Sequence, residues 1–205
     1  DNRVLDLRKP KVLAIFKIRG EVLRAAREYF AKNSFMEIET PKIIATATEG
    51  GAELFPISYF DKAAFLRQSP QLYKELMTAC FEKVFEIGPV FRAEPSETTR
   101  HIAEVTQMDI EMGFANEEDT WKVFDELIPA IYNSVKKNCA EGLKVLGVDL
   151  KVPKAPFKRV SYKEVLDALS KKGLKLKWGE DIPPHGEKLI TEIYKRFPNK
   201  NPSIF

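Results

Sequence analysis

Hydrophobic and polar positions along the chain fall into blocks of helical or strand period. Residues 11–33 carry Val12, Ile15, Phe16, Val22, Leu23, Ala26, Tyr29 and Phe30 at helical spacing, which predicts a long amphipathic helix ending near Asn33. FMEIET (35–40) then alternates as a strand would, and Pro41 bars it from continuing as a central one. Residues 42–56 start small and β-branched and reach Gly50-Gly51, a loop able to bend or move. Residues 57–60 and 64–66 predict a short hairpin around Asp61-Lys62. The stretch QSPQLYKELMTAC predicts a helix with Ser69 as its cap, Pro70 in its first position and a buried stripe of Leu72, Leu76 and Cys80.

The stretch around which the chain is organised is 84–114. An apolar run (84–90), a polar loop (94–101) and an alternating run (105–114) predict an antiparallel hairpin. Residues 117–137 follow as a helix, acidic at its start and basic at its end, with Trp121, Phe124, Leu127 and Ile131 buried and a kink at Pro129. Residues 140–156 read as a connecting loop and 157–160 as a strand. Residues 162–172 and 184–196 read as helices, the first closed by Gly173. The expected fold class is α+β: an antiparallel sheet flanked by helices, with the hairpin at its centre.

Candidate chemistry concentrates on that hairpin. Arg92, Glu94, Arg100 and His101 lie within ten residues beside apolar sequence. Alternation puts Arg92 and Glu94 on one face, and Asp109 and Glu111 on one face of the return strand. Guanidinium groups on a strand match phosphate or carboxylate oxygens. The same residues also fit a salt-bridged surface hairpin. Gln71 and Lys74 fall near one another on their helix, where such side chains are ordinarily solvated.

Composition narrows the classes. A chain of 205 residues with 44% hydrophobic content can bury a core, and a net charge of +3 is far from that of a protein held to nucleic acid by charge alone. No apolar run approaches membrane-spanning length, and the start does not read as a signal peptide. Cys80 and Cys139 lack metal-ligand spacing. They are expected as buried thiols in a reducing compartment, which points to the cytoplasm.

FRAE followed by TTRH and MDIEM resembles motif 2 of the class II aminoacyl-tRNA synthetases, in the aspartyl form of archaea and eukaryotes. DNRVLDLR, ETPKI, TATEGGAELF and QSPQLYKE agree with it in order and spacing, densely over residues 1–115 and more thinly beyond. The resemblance implies a class II catalytic domain over 1–205 that makes aspartyl-adenylate from aspartate and ATP and passes aspartate to tRNA. It implies Arg92 on the α-phosphate, Glu94 on adenine, and Arg100 and His101 on the β- and γ-phosphates. It places Lys74 and Gln71 on the substrate side chain, and Asp109, Gln107 and Glu49 about its ammonium group. An asparaginyl enzyme lacks the lysine, so Lys74 discriminates most. Residues 11–41 resemble motif 1 and imply a homodimer interface; without that resemblance they read as an ordinary core helix and strand.

The pattern also departs from the family. No glycine-rich third motif, no acidic magnesium site and no anticodon-binding barrel is legible, so the catalytic domain is expected to be incomplete at its C-terminal end and the Mg2+ ligands to lie outside this chain. The competing expectations are an asparagine synthetase-like paralogue that transfers the same adenylate to ammonia, and a catalytically silent dimerisation module. The lysines of 151–177 read as a solvated face, with tRNA contact as the alternative.

Overall fold

The computed structural model describes residues 2–47, 54–93 and 102–194. Two compact units divide the chain, Asp1–Val152 and Pro153–Phe205.

The first unit opens with a single turn, α1 (Arg3–Asp6), and the long helix α2 (Pro10–Lys32). Proline at the first helical position, where no N–H is needed, starts α2. Asn33 closes it by donating its side-chain amide to Tyr29 O at 2.8 Å. The residues α2 buries are Ala14, Ile18, Ala25, Ala26 and Phe30, whereas Ile15 and Phe16 from the predicted stripe are exposed. Small side chains at 14, 25 and 26 let neighbouring helices approach closely.

The FMEIET strand shrinks to β1 (Met36–Glu37), which pairs with the hairpin in parallel. The hairpin itself forms as predicted, β5 (Lys83–Phe91) against β6 (Glu104–Met112), giving the sheet order β1-β5-β6. A second sheet holds β2 (Ile43–Ile44), β3 (Phe55–Tyr59) and β4 (Lys62–Leu66) in the order β2-β4-β3, all antiparallel. The architecture is α+β as expected, with the sheet divided in two and one parallel pair added. The two sheets are stitched where the main chain of Arg67 accepts from Phe91 N–H and donates to Lys42 O.

Behind the hairpin lies α4 (Glu117–Asn138), started by a capping box between Asn116 and Asp119. It buries Val123, Leu127, Ile131 and Val135, a stripe shifted from the predicted one: Trp121 is half-buried and Phe124 exposed. The core joins α2 and α4 to one face of the hairpin, with Phe30 stacked on Phe85 at 4.6 Å between ring centres. Residues 140–156 are not simply a loop, because α5 (Ala140–Leu146) packs on α2. The two helices meet at Gly142, where an added Cβ would stand in ordinary contact with Ala14 and Ile18.

The helix α3 (Gln71–Phe81) departs most from expectation. Its cap is Pro70 rather than Ser69, although the Ser69 hydroxyl still accepts from Gln71 N–H at 3.3 Å. Leu72 and Leu76 are exposed at 50% and 72%, and Cys80 is exposed rather than buried. The residue α3 buries is Lys74. Cys139 is half-buried, and burial raises its thiol pKa.

In the second unit, α6 (Tyr162–Lys171) begins with a capping box between Ser161 and Glu164 and stops before Gly173, which sits at φ +90°. α7 (Pro184–Tyr194) follows. Residues 157–160 form no strand.

Candidate active site

In an antiparallel pair, residues opposite one another share a face. The register Glu86↔Asp109, Gly88↔Gln107 and Val84↔Glu111 therefore gathers Glu86, Gln107, Asp109 and Glu111 on the face away from the α2–α4 core. Arg92 lies one residue beyond β5 and extends the same row. It is half-buried, and its backbone N–H donates to Ala103 O at 3.0 Å, so pairing persists past the last strand residue. Glu94, Arg100, His101 and Glu49 lie outside the described residues.

Lys74 projects from α3 onto this face with 3% of its surface exposed. Its ammonium donates to Asp109 Oδ1 at 2.7 Å and to Ile110 O at 3.3 Å, and lies 3.5 Å from Glu111 Oε2. Burial of an unpaired ammonium would be prohibitive, and these oxygens make it tolerable. Gln71 donates to Glu75 Oε1 at 2.8 Å and to Glu111 Oε2 at 3.3 Å. Asp109 Oδ2 and Gln107 Oε1 are buried with no hydrogen-bond partner among the described residues. Both are acceptors on one face of β6, so the site asks for a donor.

A second buried cluster stands beside the first, built from residues for which sequence reasoning predicts no role. Arg67, fully buried just after β4, grips Glu86 with both ends of its fork, Nη2 to Oε1 at 2.7 Å and Nη1 to Oε2 at 3.1 Å. Arg67 Nη1 also donates to the Thr40 hydroxyl, and Nε to Pro89 O at 3.1 Å. The Thr40 hydroxyl donates to Glu86 Oε2 at 2.7 Å, and Lys42 Nζ reaches Glu86 Oε1 at 3.0 Å. Burial alone would raise the Glu86 pKa, but the bonds from Arg67, Thr40 and Lys42 outweigh it and hold the carboxyl below its ordinary value. Gly88 leaves room for this grip, because a Cβ there would stand 3.1 Å from both Arg67 Nη2 and Glu86 Oε1. The available signal was a lone charge inside an apolar run, Glu86 in VFEIG and Arg67 after AAFL.

Chemically, the face offers a buried cation (Lys74), buried acceptors (Asp109, Gln107) and a permanently charged guanidinium (Arg92). That combination suits a small zwitterion next to an anion. Among the described residues no group of three or more His, Cys, Asp or Glu is placed to hold a metal ion, and the magnesium implied by the resemblance is given no ligands here. No helix among the described residues is long and apolar enough to cross a membrane.

Known proteins are similar to this chain over nearly its whole length. The family model for tRNA synthetases class II (D, K and N) covers residues 1–203. An aspartate–tRNA(Asp) ligase of Pyrococcus abyssi is 54% identical over 192 residues, 93% of this chain and 44% of its own length. An aspartate–tRNA(Asp/Asn) ligase of Methanococcus aeolicus is 48% identical over 198 residues, 96% of this chain and 45% of its own. Among solved structures, asparaginyl-tRNA synthetase from Pyrococcus horikoshii complexed with asparaginyl-adenylate superposes with a TM-score of 0.87 at 36% identity, covering 94% of this chain and 45% of that one. The aspartyl-tRNA synthetase of Entamoeba histolytica gives 0.78 at 34% identity, covering 95% and 38%. The chain thus spans less than half the length of these relatives. With motif-like residues converging on one sheet face and the family model matched almost end to end, the chain belongs to the class II tRNA synthetases of the D, K and N group.

Proposed function

We propose that this chain carries the aspartate- and ATP-binding part of an aspartate–tRNA ligase, and that residues 1–205 belong to its catalytic domain. An oxygen of the aspartate α-carboxylate attacks the α-phosphate of ATP, and the bond to the departing pyrophosphate breaks. The resulting aspartyl-adenylate then yields its aspartate to the 3′ end of tRNA. Such chemistry asks the protein for alignment and charge neutralisation rather than covalent participation.

The observation that carries the reading is the pair of orphaned buried acceptors beside a buried lysine. Asp109 has one oxygen committed to Lys74 and the other free to accept from the substrate ammonium, with Gln107 Oε1 beside it. Lys74 meets the substrate's side-chain carboxylate, displacing the looser 3.5 Å contact with Glu111, while Gln71 supports it. Arg92 spans the α-phosphate and the reacting carboxylate. Glu49 completes the ammonium site, Glu94 takes adenine, and Arg100 and His101 take the phosphate tail. Mg2+ accompanies ATP from ligands outside this set. A cytoplasmic location belongs to the same reading.

The curated relatives described above are named for aspartate, and the lysine favours it over asparagine, although the structures that superpose with TM-scores of 0.81 to 0.87 are asparaginyl enzymes. The protein is proposed to pair as a homodimer through residues 11–41, supported by exposed Leu13, Ile15, Phe16 and Met36. A monomer in sedimentation at micromolar concentration overturns that part.

Aspartate-dependent pyrophosphate exchange by the whole protein tests the main claim. Lys74→Met removes the partner of a desolvated carboxylate, a loss of about 3–5 kcal/mol, and lowers aspartate kcat/KM by about two to three decades with little change in ATP KM. Arg92→Ala lowers the rate of adenylate formation more than it lowers ground-state affinity. If Lys74→Met leaves aspartate kinetics within about twofold, the aspartate assignment fails.

A further inference from the structure

The second unit carries a feature that the adenylate site does not use. Between α6 and α7 runs KKGLKLKWG (171–179), with Lys171, Lys172, Lys175, Lys177 and Trp178 all exposed. Leu174 and Leu176 alternate inward and are half-buried, which turns Lys175 and Lys177 outward. Among the described residues these four lysines form no ion pair, whereas Lys163 on α6 is neutralised by Asp167 at 2.8 Å. No acidic residue interrupts the segment.

Trp178 is 74% exposed yet firmly held. Its ring stands edge-on to Tyr162, 5.1 Å between centres at 70°, and the Tyr162 hydroxyl donates to Glu180 O at 2.5 Å. The turn beneath is tied twice, Lys177 N–H to Glu180 Oε2 at 2.9 Å and Glu180 N–H to Lys177 O at 3.1 Å, with Gly179 supplying φ +88°. An indole presented from a braced turn, preceded by lysines that form no ion pair among the described residues, has the form of a stacking platform flanked by phosphate contacts. Glu180 and Asp181 follow the tryptophan, so its charge is one-sided: four lysines before the ring and two carboxylates after it.

We infer that residues 171–178 form a tRNA-contacting platform, in which Trp178 stacks on an unpaired base while Lys175 and Lys177 engage the adjoining phosphates. The inference rests on the ligase reading for the identity of its partner and adds the surface that holds it. Stacking needs an exposed ring fixed in orientation, and backbone contact needs cations without an ion-pair partner; among the described residues both conditions are met within these eight positions.

The test uses the whole protein and a tRNA(Asp) transcript, with affinity measured by filter binding across a salt series. Lys175→Ala combined with Lys177→Ala is expected to weaken tRNA binding about three- to tenfold near 0.1 M salt and to flatten the salt slope by about 1.5. Trp178→Ala is expected to weaken it about fivefold or more, while Trp178→Phe, which keeps a ring, stays within about threefold. The tryptophan emission lost in Trp178→Phe should be the part that tRNA quenches in the parent. Aspartate-dependent pyrophosphate exchange should be unchanged in all these variants, so failure of the ligase reading would appear in the parent's exchange and failure of the platform in tRNA binding alone. Affinity within twofold for the lysine pair, an unchanged slope, or a Trp178 emission indifferent to tRNA each overturns the inference.

Discussion

The two faces of the β5–β6 hairpin are built from neighbouring residues and obey opposite rules. On one face Phe85, with the partly buried Ile87, Met108, Ile110 and Met112, joins Phe30, Leu127 and Ile131 in an apolar core. On the other, beside Gln107, Glu86 meets Arg67 while Asp109 and Glu111 meet Lys74, and Arg67, Glu86 and Lys74 are as inaccessible as the core. A one-residue slip in register would exchange the faces and bury four polar groups in the core, so the pairing is strongly specified. The difference teaches what each burial is for. Apolar burial lowers the free energy of folding directly, whereas buried charge is at best near neutral against an apolar replacement of the same shape. Stability therefore does not account for the polar face, and the proposed binding site supplies a reason for it.

Breaking one partner on the polar face should have the largest effect. Glu86→Ala leaves Arg67 buried without its carboxylate and is expected to destabilise the protein by about 3–5 kcal/mol in urea unfolding, with loss of pyrophosphate exchange. The double change Arg67→Met with Glu86→Leu should restore most of the stability without restoring exchange. If exchange returns with stability, the polar face serves folding and the distinction collapses. Phe85→Ala on the core face should cost about 3–4 kcal/mol, yet leave the aspartate KM of the folded fraction unaltered. Gly88→Ala is expected to cost about 1–2 kcal/mol, since its methyl crowds Arg67 and Glu86. Its effect on aspartate kcat/KM should exceed its effect on unfolding, and the reverse order would count against a positioning role for the Arg67 grip.

The smallest effect concerns the core side, where Glu21 clasps α2 to α4. Its carboxyl accepts from Arg24, from Ser134 Oγ at 2.6 Å and from Asn138 Nδ2 at 2.7 Å. The Arg24 bond leads in lowering its pKa from 4.5 to about 2, against the opposing effect of burial. A depressed carboxyl stabilises the fold above its unfolded pKa and loses that contribution as pH falls through its folded one. Glu21→Gln should therefore lower stability by about 1 kcal/mol at pH 7. The gap in melting temperature between parent and variant should close between pH 4.5 and about 2. A gap constant across that range would remove the clasp from the account.

Legibility in the sequence was uneven, and for physical reasons. The ends of α2, the hairpin 84–114 and α4 were visible because long segments repeat their period several times and carry cap and turn residues. The seven-residue α5 was not, because a short helix is stabilised by packing on α2 rather than by its own sequence. On α3 the apolar spacing of Leu72, Leu76 and Cys80 suggested the wrong face. Amphipathicity says that a helix has two sides, and the partner decides which is covered. Here the partner is a strand bearing Asp109 and Glu111, so the lysine turns inward and the leucines outward.

By itself the sequence determined the α+β class and the antiparallel hairpin, since strand alternation and turn chemistry are local and written in adjacent positions. It also placed Lys74, Gln71 and Asp109 together through resemblance. Only the tertiary structure decided that Arg67 and Glu86 form a buried pair across nineteen positions, that β1 joins in parallel, and that Asp109 and Gln107 keep acceptor atoms to spare. Those outcomes depend on register and on which surfaces meet. Both are fixed by contacts between segments far apart in the chain, and no local pattern encodes them.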